Sequence, residues 1–126
     1  MKKLVQFSIL LFAGAAMFAQ MPNPADTMTA SVVGYLRDAG CVYRFHEVVK
    51  PLPNGCLQAC VRAGSPLVIL TQKQEVYHPI SSQIPDTDIR KRLLPFAGKL
   101  VKITGHVYQR GAAKAITVEQ IDVVGD

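Results

Sequence analysis

Lys99-Leu100-Val101-Lys102-Ile103-Thr104-Gly105-His106-Val107-Tyr108-Gln109 leads into a turn at 110–113, and Lys114-Ala115-Ile116-Thr117-Val118-Glu119-Gln120-Ile121-Asp122-Val123-Val124 returns from it. On the outgoing limb Val101, Ile103, Gly105, Val107 and Gln109 share one side. On the return, Ala115, Thr117, Glu119, Ile121 and Val123 oppose Ile116, Val118, Gln120 and Asp122. A period of two on both limbs, with a turn between them, predicts a long β-hairpin.

Working outward, Asp86-Thr87-Asp88 opens a helix whose apolar side is Ile89, Leu93, Leu94 and Phe96, with Asp86 or Asp88 as its cap and Pro95 and Gly98 as its stop. A connector at 81–85 precedes it. The apolar run 67–71 and the alternating 75–79, separated by a polar turn at 72–74 that lacks glycine, predict a second hairpin. Asn54 is placed to cap a short helix carrying Cys56, Leu57, Cys60 and Val61. Gly64 would end it in the left-handed conformation, and Pro66 prevents its continuing. Upstream, Pro51 and Pro53 make 46–54 a loop, 41–45 reads as a short strand and 38–40 as a turn. The branched and aromatic stretch 30–37 reads as a long strand that can bend at Gly34. Five strands with a helix between the third and fourth, and a short cysteine-bearing helix after the first, is the order of a small OB-fold-like barrel. The expected class is therefore all-β with short helices.

The 126-residue chain, 49% apolar, has the size for one such domain and one modest core. Its start is a separate element. Lys2 and Lys3 precede an apolar run from Leu4 to Phe18, and Ala13 to Ala16 with Ala19 supply small residues. This is the layout of a bacterial secretory signal, and the run is short for a membrane span. We read 1–19 as a signal peptide cut after Ala19, 20–29 as a flexible lead-in and 30–126 as the domain. Cleavage after Ala15 or Ala16 and an uncleaved anchor are the alternatives. No cysteine directly follows the apolar run, so a lipid anchor is not indicated, and the expected location is periplasmic or extracellular.

The formal charge of +5 falls to +3 without Lys2 and Lys3. That is too small an excess to suggest nucleic acid, whose binders carry a dense basic patch. Arg90-Lys91-Arg92 reads as a solvated helix face. Tyr35, Tyr77 and Tyr108 fall on strand candidates and there is no tryptophan, so stacking platforms for single strands are not evident.

The chemistry-bearing residues are Cys41, Cys56 and Cys60. An exported domain with three cysteines is read most simply as holding one disulfide, from Cys41 to Cys56 or to Cys60, and one remaining thiol that could pair two chains into a dimer. Closing a loop of about 15–20 residues stabilises by roughly 3 kcal/mol in the chain-entropy picture. A Cys56–Cys60 bridge is disfavoured, because a helix holds those side chains parallel. The alternative is a sulfur-rich metal site for zinc or copper, formed by the three cysteines with His46, Asp38 or His78. A thioredoxin-like redox centre would want Cys-x-x-Cys and a different strand order. His46, His78 and His106 have nothing in the sequence to place them beside a thiol as a catalytic base.

The segments Val33-Gly34-Tyr35-Leu36-Arg37-Asp38, Cys56-Leu57-Gln58-Ala59-Cys60-Val61-Arg62-Ala63-Gly64-Ser65-Pro66 and Phe96-Ala97-Gly98-Lys99-Leu100-Val101-Lys102-Ile103-Thr104-Gly105 resemble a family of small exported bacterial proteins of unassigned function. The resemblance covers nearly all of the domain. It implies shared importance for Asp38, Cys41, Cys56, Cys60 and the Gly64-Ser65-Pro66 turn; His46 and His78 lie outside its pattern. The resulting expectation is a non-enzymatic exported binding or structural module, with no cofactor. Its partner would be a small ligand, a glycan or an envelope protein. A metal-handling or thiol redox protein is the rival.

Overall fold

The computed structural model describes residues 28–45, 54–85 and 89–125. The signal read over 1–19, most of the lead-in, the loop at 46–53, His46 and the capping side chains of Asn54, Asp86 and Asp88 lie outside the residues so described. The strands are β1 (Thr29–Asp38), β2 (Leu67–Leu70), β3 (Val76–Ile80), β4 (Leu100–Arg110), β5 (Ala113–Thr117) and β6 (Gln120–Val123). Helices α1 (Ala39–Phe45) and α2 (Asn54–Arg62) lie between β1 and β2, and α3 (Ile89–Leu93), extended by a 3₁₀ turn at Leu94–Phe96, lies between β3 and β4. The pairing β1-β2-β3-β5-β4 closes through β1–β4 into a five-stranded barrel. Among the described residues only β3–β5 is parallel, and β6 is added along β4. This is the expected small OB-fold-like barrel with one extra strand.

Closure requires β1 to serve two neighbours. Thr29 to Tyr35 pair with β4 and Tyr35 to Asp38 with β2, so the exchange falls at Tyr35, which faces both Leu100 and Leu70. A Cβ at Gly34 would lie 2.6 Å from the Leu70 carbonyl oxygen, so the close approach of the two strands needs a residue without one. The barrel is filled by Val32, Leu36, Ile69, Val101, Ile103, Ile116 and Val118. Leu57 and Val61 of α2 and Leu93 of α3 complete the same cluster.

Two elements differ from the sequence reading. Residues 41–45 are helical, because Asp38 caps the turn and Ala39 and Val42, three apart, cover Val68 and Leu70 on the outer side of β1 and β2. Strand propensity yields here to a second, smaller apolar contact that only the folded sheet provides. The returning limb of the last hairpin is also divided. Val107 faces Ile116 while Thr104 faces Gln120, so three steps along β4 match four on the return and one residue bulges. Val118 and Ile121, assigned to opposite sides by strict alternation, consequently both reach the core.

The bulge leaves few polar groups unmet. Val118 N donates to the Ile80 carbonyl at 2.9 Å, Glu119 N to that of Thr104 at 3.1 Å, and His106 N to Thr117 Oγ1 at 2.7 Å. Arg90, Lys91 and Arg92 form the exposed helix face read from the sequence, and Arg92 in addition donates from Nη1 to the Val118 carbonyl at 3.1 Å and ties α3 to the break. A Cβ at Gly105 would collide with the Thr117 carbonyl. Gly105→Ala is therefore expected to destabilise by about 3 kcal/mol, at the upper end for overpacking because the obstacle is backbone. Urea denaturation would measure this, and a loss below about 0.5 kcal/mol would show that the bulge yields freely.

Candidate functional site

The thiols are organised by Asp38. As the last residue of β1 it occupies the N-cap of α1, and its Oδ1 accepts the Cys41 amide, three residues on, at 2.8 Å. Ala39 N donates to the Pro66 carbonyl at 2.9 Å, fastening the start of α1 to the turn after α2. That turn is closed by Gly64 N to Val61 O at 3.1 Å and Ser65 N to Cys60 O at 3.1 Å, with Gly64 at φ +116°. Cys41, Ser65 and Cys60 are thereby gathered toward one carboxylate that is only 3% exposed. Burial works to raise the Asp38 pKa, but interactions with the Ser65 hydroxyl and with the amide and thiol of Cys41 outweigh it and hold the carboxyl below its ordinary value.

Cys56 lies one helical turn before Cys60, on the same face of α2. The Cys60 thiol is pushed up by burial, by the neighbouring Cys56 and Asp38 charges, and by interaction with the Cys56 thiol. Cys56 is exposed; Cys41 and Cys60 are half-buried, and no disulfide joins any of the three in this structure. Among the described residues, no three His, Cys, Asp or Glu side chains converge as a metal shell. Cys41 and Cys60 thus lie toward Asp38, with Cys56 one helical turn before Cys60. His78 stands elsewhere, exposed on β3, and His106 contacts Glu119 through Nδ1 at 2.7 Å. The sequence reading took Asp38 as a turn residue or spare ligand. The Asp-x-x-Cys spacing of a cap and its third helical residue was the signal for its actual place.

A second feature lies on the barrel wall. A groove of about 530 Å³ runs between Tyr43 of α1, Gln74 in the β2–β3 turn, His78 of β3 and the β4–β5 turn at Ala112. Gln74 takes φ +64°, which explains how that turn manages without glycine. At the groove's edge Lys114 Nζ meets Glu75 Oε1 at 2.5 Å and lies 5.4 Å from the Tyr77 ring centroid. The hydrogen bond from Lys114 holds the Glu75 pKa down, and the same bond raises that of Lys114. The tyrosines divide accordingly. Tyr35 is buried with the fully buried Arg37 guanidinium 5.1 Å from its ring, Tyr77 packs on the core, and Tyr43 is 60% exposed. Tyr43 was not singled out from the sequence, where 41–45 read as a strand.

Comparisons of the chain with protein-family models, curated proteins and solved structures find no match.

Because the folded pKa of Asp38 lies below its unfolded value, its carboxylate contributes stability that is present above about pH 4 and lost as the pH falls through the folded pKa. Asp38→Ala is expected to cost about 1–2 kcal/mol at pH 7, the range for a lost N-cap. The deficit should shrink below pH 4. Thermal melts of both proteins between pH 2.5 and 7 would measure it, and a deficit independent of pH would refute the charged cap.

Proposed function

We propose that the chain is an exported, non-enzymatic binding module on an OB-like barrel, with its ligand in the groove beside Tyr43 and His78. The carrying observation is where that groove lies. OB barrels take ligands across the face of strands 2 and 3, flanked by the connections after strands 1 and 4. Here Tyr43 belongs to the first of those connections and Ala112 to the second, with His78 on β3 between them. The Lys2-Lys3 start and the apolar run to Phe18 support export.

The lining favours a neutral, hydroxyl-rich ligand of the glycan class. Tyr43 offers an exposed ring on which the apolar face of a sugar can lie, and Gln74 and His78 offer hydrogen bonds. Glu75 and Lys114 neutralise each other, so the groove edge does not present the unbalanced positive charge that phosphate backbones require. An envelope protein would engage the same wall through Tyr43.

The test is titration of the ¹⁵N-labelled chain with a β-1,4-linked N-acetylglucosamine tetramer, followed by amide shifts. Perturbations should centre on Tyr43, His78 and Ala112, and Tyr43→Ala should weaken binding by about tenfold, close to 1.4 kcal/mol. Oligo-dT should leave the spectrum unchanged. Shifts confined to another face, or saturable binding of oligo-dT in this groove, would sink the glycan reading.

A further inference from the structure

Independently of the groove, Cys56 and Cys60 lie one turn apart on one face of α2. Cys56 opens to solvent while Cys60 is half-buried, so an ion could enter from one side and be backed by protein on the other. The Asp38 carboxylate lies within electrostatic reach of Cys60, and its buried Oδ2 makes no hydrogen bond of ordinary geometry. A negative charge held there favours a cation beside the sulfurs.

Helix geometry decides what can join these two groups. Cβ atoms four residues apart in a helix are about 5–6 Å from each other, whereas a disulfide needs them near 3.8 Å. The backbone therefore resists a direct S–S bond. Metal–thiolate bonds to first-row ions are about 2.3 Å long, so one ion lying between two sulfurs requires them about 4.5 Å apart, a separation that side chains with Cβ atoms about 5–6 Å apart can reach. Zinc normally takes four ligands. Soft thiolates select copper(I) among the common ions, and two of them suffice for it in linear coordination.

We propose that the Cys56–Cys60 face of α2 is a two-thiolate site for a soft monovalent metal ion, with copper(I) the ion that fits it. On binding, both S–H bonds break, two copper–sulfur bonds form and two protons pass to solvent. No electron is transferred. Cys41 stands outside the pair, engaged with the Asp38 cap through its amide and its thiol.

The experiment uses the chain as recovered from an expressing cell, reduced and kept anaerobic, and titrates copper(I) in competition with bicinchoninate. One copper(I) per chain is expected, with Cys56 and Cys60 protected from alkylation. Cys56→Ser and Cys60→Ser should each weaken binding at least a hundredfold, whereas Cys41→Ser should change it less than threefold. Cys56 is exposed, so its serine variant keeps the fold and the test decisive. An equal concentration of zinc(II) should not displace the copper. Unchanged affinity in the Cys56 and Cys60 variants, an equal loss in Cys41→Ser, displacement by zinc, or a chain recovered with Cys56 or Cys60 in a disulfide would each overturn the proposal.

Discussion

Sharing of β1 between two partners is the constraint on which the rest of the molecule depends. A five-stranded sheet becomes a barrel only if its first strand leaves β4 and joins β2 within its own length, and here it does so at Tyr35. Gly34 lets the Leu70 carbonyl come within reach at that point, and Leu36 then turns into the barrel cluster while Arg37 is buried on the other side. The bulge opposite Gly105 performs the corresponding adjustment on the other flank of β4, where β5 passes to β6. Closure leaves β6 as an added strand at an edge, short and with Gln120 and Asp122 hydrogen-bonded to each other, a composition that discourages pairing with another chain.

The same bend determines where the chemistry sits. Once β1 ends at Asp38, the next residues must start a helix over the outer side of the sheet, and the carboxylate becomes its cap. Pro66 then accepts the Ala39 amide, which draws α2 and its terminating turn against that cap. Thiols separated by up to nineteen positions in the chain, Cys41 and Cys60, are in this way both brought to one carboxylate. The groove arises from the opposite flank of α1, where exposed Tyr43 faces β3 and the β4–β5 turn. One short helix therefore separates two regions of different character, one sulfur-rich and acidic, the other aromatic and close to neutral.

Much of the barrel was legible in the sequence. The alternation through Val101 and Ile103, the apolar run of β2, the end of α2 at Gly64 and the helix between the third and fourth strands each followed from local periodicity or turn chemistry. Those are properties of a few adjacent residues. The grouping of Cys56 with Cys60 was legible for the same reason, since helix spacing alone puts them on one face.

Tertiary structure decided what depends on a distant partner. Residues 41–45 carry strand-forming side chains, yet they are helical because Val68 and Leu70 need covering and Asp38 can cap. The strict alternation from Lys114 onward hid the bulge, because an extra residue is favourable only when Thr104, Ile80 and Arg92 are there to meet the backbone groups it displaces. Joining Cys41 and Cys60 at Asp38, and setting Tyr43 beside His78, likewise required the closed barrel. Sequence by itself determined the strand and helix periodicities; folding alone determined which of those elements meet, because contacts between residues far apart in the chain depend on closure and not on local preference.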